Sequence, residues 1–199
     1  VLADEAADLP GLAGNFAGLP SNFVGFDGTS LVFAALDLGL TPKPGIYRAD
    51  LAGNLAKIAD IDTTAPGSTR KFTRFGASDV AGGYVFFSTD RGLYAAAPDG
   101  TLTGLGGSDI LSAASPDLVY FASGASVVRV KMGGAVPEEV LPDAAQMDCR
   151  QVRSVWQVDA QGDDIAIGVD FTDGSTGIFA NLRPAAASRV IARPGNNNT

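Results

Sequence analysis

The sequence predicts an all-β protein, a small β-propeller of four blades, with a β-sandwich as the alternative fold. Three observations carry this. Runs of β-branched and aromatic residues are no longer than a single strand and are bounded by Gly, Pro and Asp. The 25 glycines and 11 prolines of the 199 residues are spread along the chain, as a protein of many turns requires. One order of strand, turn, strand, turn and short outer strand recurs four times.

The elements follow in order. The first strand of each unit reads Leu31–Ala35, Tyr84–Ser88, Leu118–Ala122 and Ile165–Val169, nearly continuous apolar runs that suit strands buried on both faces. The second strands are Gly45–Ala49, Gly92–Ala96, Ser126–Val130 and Gly177–Asn181, mostly opening Gly-aliphatic-aromatic. Tight turns follow at Asp50–Leu55 and Pro98–Leu102, where glycine supplies positive φ, and Met132–Val136 takes the same place in the third unit. Outer strands close the units at Leu55–Ala59, Thr101–Leu105, Glu138–Leu141 and Ser188–Ala192.

Equivalent positions Tyr47, Tyr94, Val128 and Phe179 are spaced by 47, 34 and 51 residues, which suits propeller blades and is too long for leucine-rich or β-helical repeats. Residues 1–199 are expected to form one propeller-like domain with repeat units of roughly 20–60, 76–106, 109–142 and 150–193. Val1–Asp4, Pro10-Gly11 and Phe16 align to Lys57–Asp60, Pro66-Gly67 and Phe72 at a constant offset of 56. Val1–Asp4 therefore reads as a further outer strand. Such a terminal edge could close the ring, pair with a second copy of the chain, or be a frayed remnant of a preceding unit.

A net charge of −8 and a pI near 4.4 argue against nucleic acid and anionic membrane surfaces as partners, because both need a surplus of Lys and Arg. No apolar stretch approaches a membrane span, and no basic segment followed by an apolar run marks a signal peptide at the start. The single cysteine, Cys149, excludes an internal disulfide and reads as a small buried side chain. The chain has no histidine, which removes the triads and zinc sites built on it.

The pieces Gly45–Asp50, Lys57–Asp60, Ala65-Pro66-Gly67 and Phe72–Gly76, in this order, resemble bacterial secreted or surface proteins with choice-of-anchor tandem repeats. The unit of those proteins carries an Asn-x-x-Gly-x-x-x-Phe core. Asp79-Val80-Ala81-Gly82-Gly83-Tyr84-Val85-Phe86 matches it with Asp for Asn, and Asp159–Ala166 keeps the spacing through Gly162 but ends in Ala. The first unit carries an inserted Asp27-Gly28 turn, and the third lacks the glycine. The resemblance implies an extracellular or cell-surface location and carries no functional residues. No C-terminal anchor is visible before Thr199.

Candidate chemistry is sparse. Asp163, Asp164, Asp170 and Asp173 place four carboxylates within eleven residues, the hard oxygen donors that calcium takes, although the EF-hand spacing is missing. Asp60 and Asp62 beside Thr63-Thr64 form a weaker pair of the same kind. Trp156 is the ligand-contact candidate, because a lone indole near a loop can stack on a flat ligand. Phe16, Phe23, Phe26, Phe72 and Phe75 could form an aromatic platform, but Phe16 and Phe72 repeat at equivalent positions, which favours packing between blades. Asn197-Asn198-Thr199 is a glycosylation pattern only in a eukaryotic secretory host. No catalytic constellation stands out, so the expectation is no enzyme and no cofactor beyond a possible calcium ion. The leading expectation is a non-enzymatic binding or structural module that meets a protein or glycan at the cell surface. The alternatives are a glycan-binding or glycan-cleaving propeller, and a filament or layer subunit joined by edge strands.

Overall fold

The computed structural model describes residues 24–36, 43–106, 110–115, 118–132, 138–142, 145–180 and 189–192. Val1–Asp4, Phe16, Phe23 and the Asn-rich tail lie outside the described residues. Among the described residues every regular element is a strand, and no helix is long and apolar enough to cross a membrane.

The strands form four antiparallel sheets in which chain neighbours are sheet neighbours. The first sheet runs β1 (Val24–Phe26), β2 (Ser30–Leu36), β3 (Pro44–Asp50), β4 (Leu55–Asp60). The second runs β5 (Phe75–Ala81), β6 (Tyr84–Thr89), β7 (Gly92–Ala96), β8 (Leu102–Gly106). The third runs β9 (Ile110–Ser115), β10 (Leu118–Ser123), β11 (Ser126–Lys131), β12 (Glu138–Leu141). The fourth has five strands: β13 (Gln146–Met147), β14 (Arg150–Gln161), β15 (Asp164–Phe171), β16 (Thr176–Ala180) and β17 (Arg189–Ala192). Four meandering sheets are what the blades of a propeller require. The chain divides into two compact units, Val1–Asp109 with the first two sheets and Ile110–Thr199 with the other two.

The repeat strands read from the sequence fall on β2, β6, β10 and β15, then on β3, β7, β11 and β16, then on β4, β8, β12 and β17. Each sheet also has a leading strand the repeat omits: β1, β5, β9 and β14. The Asp-x-x-Gly-x-x-x-Phe segment spans the turn out of that leading strand. Asp79 and Phe86 face each other across the β5–β6 hairpin, and Gly82 and Gly83 turn it at φ of 55° and 83°.

In the first unit the two sheets share one core. Val32, Ala34, Ile46 and Ala59 meet Phe72, Val80, Val85, Phe87, Tyr94 and Ala96. The Phe72 ring stands edge-on to Tyr94 at 4.8 Å, a favourable aromatic geometry. Intervening side chains Phe33, Ala35, Tyr47 and Ala49 cluster on the opposite face of the first sheet, so period-two alternation serves two buried layers. Polar contacts fix the same junction. The Gly83 amide donates to Asp27 at 3.3 Å, and Arg48 donates to the Gly83 carbonyl at 3.1 Å. The Asp27-Gly28 insertion therefore holds the hairpin turn of the next sheet.

In the second unit Tyr120, Ala122, Val127 and Leu141 pack with Val152, Val155, Val158, Ile165, Ile167, Val169, Phe171 and Phe179. Cys149 departs from its expected burial. It is exposed, because Asp148 and Cys149 form the two-residue β13–β14 turn with φ of 53° and 61°, and such a turn projects its side chains outward. Arg150, beside this turn, lies 4.0 Å over the Phe171 ring and donates to Ser175 at 2.7 Å.

Candidate functional site

Two features of the second unit have the geometry of contact sites. The first is built on Trp156, which sits in β14 where the register with β15 shifts between Val155 and Gln157. The bulge turns the indole out onto the sheet face, where it lies across Gly168. A Cβ at Gly168 would stand 2.5 Å from the Trp156 ring, so only glycine leaves room for it. Ile178 is the cross-strand neighbour of Gly168, and Trp156 and Ile178 are large exposed apolar side chains, at 45% and 40% exposed. Asp159, Asp164 and Asp170 rim this face in register with Ala166, Gln161 and Ser154.

The second is a cleft of about 360 Å³ lined by Ser115, Leu118, Arg129, Lys131, Glu138, Gly162 and Asp163. Arg129 organises it. Its guanidinium pairs with Glu138 at 2.6 Å and reaches Asp163 at 3.2 Å, and it also donates to the hydroxyl of buried Tyr120. Burial raises the Tyr120 pKa, so the phenol stays neutral, and the bond to Glu138 raises that of Arg129. The cleft thus presents both signs of charge beside the apolar side chain of Leu118, an arrangement that can take up the polar and charged groups of a polypeptide.

The sequence passed over Arg129, yet a signal was there. Arg129 follows Ser126-Val127-Val128 as Arg48 follows Gly45-Ile46-Tyr47, and both arginines reach the leading hairpin turn of the following sheet. Arg48 bonds Gly83 and Arg129 bonds Asp163. The second and fourth sheets have Ala95 and Ala180 at that position, so the two units repeat as pairs of sheets.

The four calcium candidates are not brought together. Asp163 and Asp164 lie where β14 turns into β15, whereas Asp170 and Asp173 lie at the other end of β15, roughly 20 Å away at strand rise. Asp163 pairs with Arg129, Asp170 accepts from Ser154 at 3.0 Å, and Asp173 accepts from the amide and hydroxyl of Ser175, which lowers its pKa. Asp60 and Asp62 are met by lysines instead. Asp60 is buried and bonds Lys57 at 2.8 Å and the Thr63 hydroxyl at 2.8 Å, and these outweigh a burial that alone would raise its pKa. Lys43 and Lys71 hold Asp62 at a pKa of about 2. Among the described residues no three His, Cys, Asp or Glu side chains gather as a metal site would require. Of the aromatic platform, Phe72 is core, Phe75 packs against the core and Phe26 is exposed.

No protein-family model matches the chain, and no curated protein does. Solved structures do match in fold. A puromycin hydrolase is similar with a TM-score of 0.63 at 13% identity, over 92% of this chain and 30% of its own. A variant of a puromycin hydrolase matches at 0.58 and 11%, over 88% of this chain and 29% of its own. A prolyl endopeptidase matches at 0.58 and 16%, over 89% and 28% respectively. This chain therefore spans less than a third of the length of these proteins. The matches correct one expectation: the proteins that share the fold are hydrolases, so the fold gives no ground for setting enzymes aside. They assign no catalytic residue here either, because the likeness covers only the propeller and the enzymatic parts of those proteins are their peptidase domains. Sheets, topology and structural likeness together establish an all-β, propeller-type fold.

Proposed function

We propose that this chain is a propeller module that binds another macromolecule, a protein, through the Arg129 cleft, outside the cytoplasm. The observation that carries the reading is the cleft itself, with Arg129 and Lys131 facing Glu138 and Asp163 around an opening of about 360 Å³. A volume of that size admits one or two side chains of a partner rather than a large cofactor. The surplus of negative charge elsewhere on the chain favours partners with basic surfaces and discourages nucleic acid. The resemblance to choice-of-anchor repeat proteins supports the extracellular or surface location.

The test compares wild type with Asp163→Lys, a change at a largely exposed side chain that leaves the core intact. Both are immobilised, exposed to an extract of the native host, and the retained proteins are identified; a glycan array is run alongside. The reading expects a defined protein retained by wild type and lost from the variant. Equal retention by both forms, or binding confined to glycans, overturns it.

A further inference from the structure

The two units repeat as pairs of sheets, so the junction that carries the Arg129 cleft has an internal counterpart in the first unit. Strand register fixes the equivalences. Arg129 lies opposite Glu138 as Arg48 lies opposite Ala56. Gly162-Asp163 turns the β14–β15 hairpin as Gly82-Gly83 turns β5–β6. Ser115, paired with Leu118, stands where Asp27 pairs with Ser30. In the first unit one arginine and one carboxylate serve the junction: Arg48 donates to the Gly83 carbonyl, and Asp27 accepts from the Gly83 amide. Joining two sheets in this way needs neither Glu138 nor Asp163. In the second unit the shorter Ser115 replaces the internal carboxylate. Glu138 and Asp163, which have no acidic counterparts in the first unit, line a cleft of about 360 Å³.

The hydrogen-bond inventory of this cleft is lopsided. Nε and Nη2 of Arg129 both donate to Glu138 Oε2, at 2.7 and 2.6 Å, and Nη1 donates to Asp163 Oδ1 at 3.2 Å. Every nitrogen of the guanidinium is taken, and the buried Tyr120 hydroxyl receives a further bond from it. Lys131 also has a partner of its own. Glu138 Oε1 and Asp163 Oδ2 receive no hydrogen bond among the described residues, although a carboxylate offers about four acceptor positions. The spare capacity of the cleft is therefore for donors, and the cations that line it are already committed.

We propose that the group the cleft takes is an arginine side chain of the partner, an inference that rests on the cleft being the protein-binding site. A guanidinium presents its N–H groups in a fixed fork, which suits two carboxylates that each keep one oxygen free. Its aliphatic stem would lie along half-buried Leu118. Arg129 and Lys131 balance Glu138 and Asp163, so one added cation meets no local excess of positive charge, and the net charge of −8 draws it in. An incoming carboxylate would face that same field and two carboxylates, with no guanidinium nitrogen uncommitted.

The test titrates the full, isotope-labelled chain with N-acetyl-arginine amide, N-acetyl-citrulline amide and N-acetyl-glutamate amide, following the backbone amides of Glu138, Gly162 and Asp163 by NMR. Citrulline keeps the length of arginine and most of its donors but carries no charge. Arginine should give saturable shifts with an affinity on the order of tenfold above that of citrulline, and glutamate should give none. Asp163→Asn and Glu138→Gln should each weaken arginine binding severalfold. Their side chains are 74% and 49% exposed, so both variants keep the fold, which the unchanged amides of the core strands verify. Saturation by glutamate, equal affinities for arginine and citrulline, or variants that bind arginine as wild type does would overturn the proposal. A host protein retained through the cleft while the arginine probe fails strikes the arginine alone. Arginine binding with no host protein retained strikes the protein partner alone and leaves the chemistry of the cleft standing.

Discussion

Replacing Ile46 and Ile178 separately by Ala is a matched test of blade equivalence. The residue type and place in the repeat are the same, and burial differs. Ile46 is 0% exposed among Phe72, Phe87 and Tyr94, rings that cannot collapse into the space left by its lost carbons. Transfer and cavity terms together should cost about 3–4 kcal/mol, within the usual range for a buried Ile to Ala change. Ile178 is 40% exposed and leaves no enclosed cavity, since water fills the gap, so its loss should cost below about 1 kcal/mol. At roughly 2–4 °C per kcal/mol for a chain of this size, the melting temperatures of the variants should differ by on the order of 5–10 °C. Urea titration of both variants checks that the slopes agree, so that the midpoints report stability. Equal losses would mean that the Ile178 face is covered in solution, and would refute the argument from repeat positions.

Three further outcomes are expected. Cys149→Gly should raise stability by about 0.5–1 kcal/mol, because φ of 61° suits glycine and the thiol makes no core contact; a fall in melting temperature would contradict the turn geometry. The lysine partners hold the folded-state pKa of Asp62 at about 2, below its ordinary 3.8, so its stabilising effect is present above that ordinary value and is lost as pH falls through the folded one. Melting temperatures measured from pH 5 to pH 2 should fall more steeply for wild type than for Asp62→Asn, and parallel curves would refute the pairing. Gly168→Val should drive the indole off its seat and increase acrylamide quenching of Trp156, with stability changed by no more than about 1 kcal/mol; unaltered quenching would show that the ring does not lie there.

The middle and outer strands of each blade were legible because their apolar runs are short, β-branched and bounded by glycine. The leading strands were not. β1 has three residues, and β5 reads Phe-Gly-Ala-Ser-Asp-Val-Ala, with little apolar signal. In β14 the buried valines are Val152, Val155 and Val158, spaced by three rather than two, because two bulges each insert an unpaired residue. One of those bulges presents Trp156, so the irregularity that hid the strand is also what makes the surface feature. Cys149 was misplaced for a related reason: its residue type favours burial, but a two-residue turn overrides the preference. Arg129 was visible only as an arginine at the position of Arg48, and its partner Asp163 lies in a different repeat unit, at a distance in sequence that no local pattern spans.

The strictly sequential strand order has a kinetic consequence. Among the described residues each strand pairs only with the strand before or after it in the chain, so every sheet assembles by closing successive hairpins. Loop-closure entropy is then paid in small instalments, and no strand waits for a partner from the far end of the polypeptide. Hairpins form in roughly 1–10 μs, which leaves docking of finished sheets through layers such as Ile46–Tyr94 as the slow event. Refolding should therefore outpace that of a Greek-key sandwich of equal length, whose long crossovers raise contact order. An exposed Phe or Tyr layer on a finished but undocked sheet is the intermediate most prone to misassembly.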